Sequence, residues 1–193
     1  GDEVFFNTGT DEHGVKVYRA ATAARQAPQV YVDEYARRFE ELKSALDLSY
    51  DHFSRTTAPA HIAAAQEFWR RCAMAGDIYK KNYQVKYCVG CELEKTDSEL
   101  DNGRCPIHLG LVLEMIEEEN YFFRFSKYQK PLLELYARQT DFVVPDLRLN
   151  ELKSFVERGL IDFSISRLAA KMPWGIPVPD DESQIMSVWF DAL

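Results

Sequence analysis

The sequence predicts an α/β fold with a parallel sheet and a second, metal-stapled subdomain. Three observations predict it. An apolar run near the start passes through a glycine-containing loop into a helix-forming stretch, the patterning changes from helical to alternating at Ile78, and two ligand pairs lie between Cys88 and His108.

Val4-Phe5-Phe6-Asn7-Thr8-Gly9 is a short apolar, aromatic run ended by glycine, as expected of a strand buried on both faces of a parallel sheet. Thr10-Asp11-Glu12-His13-Gly14 follows as a loop, and the Ala- and Arg-rich stretch from Val15 to Gln26 favours a helix until Pro28 stops it. Strand, loop and helix open a βαβ unit. A second helix is expected over about 33–46, because Tyr35, Phe39, Leu42 and Leu46 share one face while Glu34, Arg37, Arg38, Glu41 and Lys43 point to water. A third is expected over 59–75. Thr57 or Ala58 can cap it, Pro59 suits its first turn, and Gly76 is placed to end it. Its apolar stripe is Ile62, Ala65, Trp69, Cys72 and Ala73, with Cys72 a small core residue.

From Ile78, Tyr79, Tyr83, Val85 and Tyr87 alternate with polar residues, so a strand with one wet face begins a new subdomain. Further strands are expected over 111–115 and 121–125, separated by an acidic turn at Glu117-Glu118-Glu119-Asn120. Helices are expected near 127–139 and 149–158, the second ended by Gly159. Pro173, Pro177 and Pro179 around Trp174-Gly175 make a loop with at most edge-strand character, and Ile185 to Phe190 returns to strand patterning.

With 23 Lys+Arg against 31 Asp+Glu, the net charge of −8 excludes nucleic-acid binding by bulk charge. A 46% hydrophobic content over 193 residues can fill a core and argues against disorder. No apolar run approaches the roughly 18 residues of a membrane span, and no signal peptide is evident, so a cytoplasmic protein with no membrane partner is expected. Without an initiator Met, and with Leu193 ending the chain abruptly, the sequence is expected to be cut at both ends.

Cys88-Val89-Gly90-Cys91 and Cys105-Pro106-Ile107-His108 are two ligand pairs, each with two intervening residues. That spacing lets each pair turn tightly, so Cys88, Cys91, Cys105 and His108 converge in a tetrahedron suited to zinc. A chance cluster or a disulfide is the competing explanation, and a cytosolic setting disfavours the bridge. Four protein donors leave no open position for a catalytic water, so the expected zinc is structural. Lys86 and Lys95 are placed to offset thiolate charge. His108-Leu109-Gly110-Leu111 superficially matches a His-Ile-Gly-His nucleotide motif but lacks its second histidine, and Lys171-Met172-Pro173 starts like Lys-Met-Ser-Lys-Ser and then departs from it.

Seven blocks spread over the chain resemble methionyl-tRNA synthetases, most closely the bacterial form with one zinc knuckle. They are residues 5–14 (Phe5 to Gly14), 50–57 (Tyr50 to Thr57), the knuckle from Tyr87-Cys88, Asn120-Tyr121-Phe122-Phe123-Arg124-Phe125, Ser164-Ile165-Ser166-Arg167, Trp174-Gly175-Ile176-Pro177-Val178-Pro179, and Val188-Trp189-Phe190-Asp191-Ala192-Leu193. The resemblance implies a partial Rossmann-type sheet of the class I synthetase kind, interrupted by a connective-peptide insertion. Residues 1–77 would be the first part of the catalytic domain without its opening strand, 78–182 the insertion with its knuckle, and 183–193 the return strand. Asn7 departs from the family by placing a polar side chain in a strand position usually apolar.

The activity so implied is ATP-driven formation of methionyl adenylate, with magnesium as the counter-ion of ATP, followed by transfer to tRNA(Met), by an enzyme expected to be a monomer. Asp11, just past a strand's carboxyl end where open α/β sheets gather ligands, would meet the substrate ammonium and face Arg167. Trp189 would offer its ring to the thioether, and Ala192 would line the same pocket. Capping of the following helix for Asp11, a structural ion pair for Arg167 and a core position for Trp189 are the alternatives. His13 has no evident partner. Because both signature motifs of the family fall outside the chain, the segment alone is expected neither to form adenylate nor to charge tRNA. A non-enzymatic zinc-knuckle module binding RNA or protein, and a synthetase for another apolar amino acid, are the rival functions. Glu92, Glu94, Asp97, Glu99 and Asp101 around the knuckle argue against the first, and the short insertion argues against the second.

Overall fold

A computed structural model describes residues 2–192, apart from the side chains of Tyr83 and Glu94. Gly1 and Leu193, at the outer ends of the expected 1–77 and 183–193 segments, lie outside the described residues, as do the side-chain expectations for Tyr83 and Glu94.

Strand β1 (Asn7–Thr10) pairs in parallel with β2 (His52–Arg55), with α1 (Val15–Ala23) and α2 (Pro28–Ala45) in the crossover. This is the expected βαβ opening. The polar Asn7 is satisfied across the pair, where the Ser54 hydroxyl donates to its Oδ1 at 2.9 Å. The apolar run lies ahead of the strand instead of within it. Val4 and Phe5 are 77% and 73% exposed, because a two-stranded sheet among the described residues covers neither face of that run.

Pro28 begins α2 at its first turn, where a fixed φ and a missing N–H cost nothing. The face that α2 buries also differs from the expected one. Val32 and Ala36 are buried, whereas Phe39 and Leu46 are 52% and 63% exposed and Tyr35 and Leu42 also face solvent. The helix packs on α1 and β1 through its smallest apolar side chains. Asp33 on the neighbouring face is held by the Arg55 guanidinium at 2.6 Å.

Helix α3 (Pro59–Met74) follows its expected stripe: Ala65 and Trp69 are buried, and Ile62 and Cys72 pack against them. Ala58, not Thr57, is its N-cap. Trp69 meets Tyr121 and Phe190 edge-on and joins Ile165, Ile176, Val178 and Met186 in the main core.

Strands β3 (Ile78–Cys88), β4 (Leu93–Lys95), β5 (Glu114–Phe123) and β6 (Phe163–Ser164) form an antiparallel sheet in the order β4-β3-β5-β6. The expected acidic turn is absent from β5, which runs unbroken through Glu117–Asn120 and pairs with β3 from Ile78 opposite Phe123 to Tyr87 opposite Glu114. Alternation explains it: Glu118 and Asn120 face inward and are buried, while Glu117 and Glu119 face water. Lys171 at 3.6 Å and Arg167 at 3.9 Å offset the buried Glu118 carboxylate.

Helices α4 (Gln129–Arg138) and α5 (Asp146–Glu157) close a smaller core of Tyr136, Leu149, Val156 and Leu160. The last sheet, β7 (Ser166–Leu168), β9 (Asp181–Met186) and β8 (Pro177–Val178), has β9 in the middle. Buried polar groups tie it to β5. The Tyr121 amide donates to the Ser166 hydroxyl, that hydroxyl donates to Gln184 Oε1, and Gln184 Nε2 donates to the Glu119 carbonyl. The strand expected over Ile185–Phe190 ends at Met186. Val188–Asp191 is a helical turn, α6. Val188 and Asp191, three residues apart, both face inward, which a helical turn allows and an extended strand does not.

Candidate functional site

The knuckle is built by β3 and β4. Cys88 ends β3, a turn at Val89–Gly90 presents Cys91, and the 101–111 loop returns Cys105 and His108. The ligand atoms of Cys88, Cys91, Cys105 and His108 all lie within 4.8 Å of one another. Cys91 Sγ is 3.6 Å from Cys105 Sγ and 3.2 Å from His108 Nδ1. Tetrahedral zinc with bonds of about 2.3 Å places its sulfurs about 3.8 Å apart, so the donors fit that ion in type and spacing. A Cβ on Gly90 would stand 2.5 Å from the His108 ring, so the turn closes over the imidazole only because this residue has no side chain.

Burial pushes the Cys91 thiol up to about 11. Burial also acts upward on Cys105, but hydrogen bonds from the His108 side chain and from the His108 and Ile107 amides prevail and hold it at about 6. Of the two lysines expected beside the thiolates, Lys95 lowers the Cys91 value, whereas Lys86 pairs with Asp97 at 2.6 Å. The acidic surround is partly engaged within the chain: Glu99 closes a capping box with Thr96, and Glu92 reaches α1.

Glu92 connects the knuckle with the loop after β1. Its carboxylate accepts from the Lys16 amide at 3.3 Å and lies 3.8 Å from the Lys16 ammonium. Gly14, at φ 97, leaves it room, since a Cβ there would sit 2.4 Å from Glu92 Oε1. Asp11 does not cap α1, whose N-cap is Gly14 without a side-chain bond. Asp11 faces solvent on one side. Its partial burial, then the charges of Asp191 and Glu92, push its carboxyl up to about 6, while His13 pulls the other way. Asp11 shares a pocket with Ala192, lined also by Thr8, Thr56 and His61.

The neighbouring residue Glu12 fixes the loop. Buried itself, its carboxylate accepts from Arg55 Nε at 2.7 Å, from the Thr10 hydroxyl at 2.7 Å and from the Thr57 hydroxyl, and it is held below the usual range by Arg55, Thr57 and Thr10 despite burial. Trp174 Nε1 donates to the Glu12 carbonyl at 2.8 Å. Next in the loop is His13, whose Nδ1 lies 3.1 Å from the buried Asp191 carboxylate.

Arg167 and Trp189 line a second pocket with Glu92, Phe163 and Ser187. The Arg167 guanidinium lies over the Tyr87 ring at 4.8 Å and donates to the Ser164 hydroxyl at 3.2 Å. Trp189 is 53% exposed although Val188, Phe190 and Asp191 beside it are buried, so it is not a core aromatic. The structure therefore gathers the four expected metal ligands in one cluster, but it places Asp11 and Ala192 in one pocket and Arg167 and Trp189 in another, so neither the expected facing of Asp11 and Arg167 nor a pocket shared by Trp189 and Ala192 is found among the described residues. Glu92 lines the second pocket and acts electrostatically on Asp11 in the first. The roles of Glu12, Glu92 and Asp191 were not evident in the sequence, where nothing indicates which distant residues meet them.

A family model described as tRNA synthetases class I (M) matches residues 1–110 and 98–193. The methionine–tRNA ligase of Thermosynechococcus vestitus is 52% identical over all of this chain and 36% of its own length. The chloroplastic/mitochondrial methionine–tRNA ligase of Arabidopsis thaliana is 47% identical over all of this chain and 31% of its own length. The structure of Mycobacterium tuberculosis methionyl-tRNA synthetase in complex with methionyl-adenylate superposes with a TM-score of 0.90 at 42% identity, over 98% of this chain and 38% of that one. The chain spans about a third of the length of the curated relatives it matches.

Proposed function

Because the chain belongs to the class I tRNA synthetases (M), whose family model matches it from end to end, we propose that it forms the methionine-binding part of a methionine–tRNA ligase. The observation that carries this reading is the open indole of Trp189, held outward by a helical turn whose other side chains are buried. A polarizable ring presented in this way suits a thioether. Asp11, with its carboxyl near 6, is largely ionised at neutral pH and can accept the substrate ammonium, and Ala192 narrows the same pocket. Arg167, packed on Tyr87, supports the floor beside Trp189.

In this reading the methionine carboxylate attacks the α-phosphorus of ATP, pyrophosphate leaves, and the methionyl group of the adenylate then passes to the terminal adenosine of tRNA(Met). The attacking group is already ionised and pyrophosphate is a good leaving group, so positioning and charge stabilisation carry the rate. ATP enters with magnesium. Cys88, Cys91, Cys105 and His108 would hold a zinc ion, which would supply a structural crosslink and not take part in the reaction. Residues 1–77 would serve as part of the catalytic domain, 78–182 as the inserted lobe and 183–193 as the return into it. No helix of the described residues is long and apolar enough to cross a membrane, and the enzyme would work in the cytoplasm as a monomer.

ATP–pyrophosphate exchange by the ligase containing this chain, measured over a panel of amino acids, tests the reading. Exchange dependent on methionine is expected, and exchange driven by leucine or valine instead would overturn it. The 193-residue segment by itself is expected to show none.

A further inference from the structure

The buried carboxylate of Asp191 sits where four segments meet. His13, from the loop after β1, places Nδ1 at 3.1 Å from Asp191 Oδ2, with both side chains almost wholly buried. The contact is close, but among the described residues neither His13 Nδ1 nor either Asp191 oxygen completes a hydrogen bond. Buried polar atoms without partners are rare and call for a reason. His61 on α3 donates its Nε2–H to the Asp191 backbone carbonyl at 2.7 Å. Trp174, from the β7–β8 connection, lies 5.4 Å from the His13 ring while its N–H holds the Glu12 carbonyl.

Asp11 lies two residues from His13, and Asp191 lies two residues after Trp189 and next to Ala192. The His13–Asp191 contact thus links the loop that carries the group expected to hold the substrate ammonium to the turn that carries the ring and methyl expected to hold its side chain. We propose that His13 and Asp191 are a positioning pair that aligns when the amino acid binds, joining the Asp11 loop to α6 so that both halves of the methionine site close together. Polar contacts near a reacting centre are often misaligned before ligand arrives and tighten in the complex. The backbone clamp from His61 keeps α6 in reach, and the pair supplies the last adjustment. Neither residue touches the substrate in this scheme, and both act through Asp11, Trp189 and Ala192.

The inference rests on the functional reading above, and amino-acid-dependent pyrophosphate exchange by the intact ligase separates the two. His13→Ala and Asp191→Asn should each raise KM for methionine by about tenfold or more, the effect of losing one hydrogen bond to a charged group, while KM for ATP stays unchanged. The double variant should be no worse than either single one, because the two residues share one contact. His13→Asn, whose amide N–H stands near the position of Nδ1–H, should recover most of the affinity. Unchanged KM for methionine in His13→Ala, or equal increases in both KM values with no rescue by asparagine, would overturn the proposal in favour of simple packing. Should Asp191→Asn fail to fold, the His13 variants decide alone. An unaltered ligase lacking methionine-dependent exchange would sink the functional reading and this inference together.

Discussion

The carboxylate of Glu92 accepts a hydrogen bond from the backbone N–H of Lys16 at 3.3 Å, across 76 positions of sequence. It joins the residue after Cys91 to the first turn of α1. An acidic group there satisfies a free amide and meets the positive end of the helix, which together are worth about 1 kcal/mol. The same charge raises the Asp11 carboxyl. Glu92→Gln should therefore lower the Asp11 pKa from its value near 6, read by carbon-detected NMR titration of the carboxyl. An unmoved Asp11 titration would show that Glu92 does not act on it.

Asp11 and Asp181 should contribute to stability with opposite dependence on pH. The folded value of Asp11, about 6 against an ordinary 3.8, means that the folded state holds its proton longer. Stability from this group then declines as pH rises from about 4 to about 6. Asp181 is held down to about 2, chiefly by Lys80, so its contribution is present above about pH 4 and is lost as pH falls toward 2. Urea unfolding of Asp11→Asn and Asp181→Asn across these ranges should flatten one slope each, and parallel curves for variant and parent would contradict the assignment. Since an ammonium needs the ionised Asp11, KM for methionine should also fall as pH rises from 5 to 7.

Gly90 lies where a Cβ would stand 2.5 Å from the His108 ring. Gly90→Ala should displace the imidazole and weaken zinc by at least about tenfold, measured by competition with a chromophoric chelator. Native affinity in this variant would mean that His108 is not held as described. For the parent chain, elemental analysis should find one zinc, and its removal should loosen the β3–β4 turn.

Buried Glu12 accepts four hydrogen bonds on its carboxylate from three side chains, two from Arg55 and one each from Thr10 and Thr57. Its replacement by Ala leaves Arg55 with only Asp33 as an acidic partner among those described. Breaking a fully buried pair costs about 3–5 kcal/mol, and the partial exposure of Arg55 brings the expected loss nearer 2–3 kcal/mol. Chemical denaturation measures it, and a loss below about 1 kcal/mol would show that the cluster does not hold the loop.

Local patterns that carry their own geometry were legible in the sequence. Pro59 and Gly76 bracket α3, and the two ligand pairs converge as their spacing requires. Patterns that depend on distant partners were not. The acidic run in β5 reads as a turn until Lys171 and Arg167 offset Glu118, and α2 buries Val32 and Ala36 because of what packs on them. Trp189 was recognisable as a residue but not as part of a helical turn, since inward Val188 and Phe190 also fit a strand; only the burial of Asp191 distinguishes the two. The Glu92–Lys16 and His13–Asp191 contacts join segments that no local periodicity relates.

A crystal structure of the ligase containing this chain, grown with methionine, tests the central claim most directly. The account predicts the ammonium of the amino acid against the Asp11 carboxylate, near Ala192, and its thioether against the Trp189 ring. Density for methionine in a different pocket, with Asp11 and Trp189 both free of it, would contradict the account.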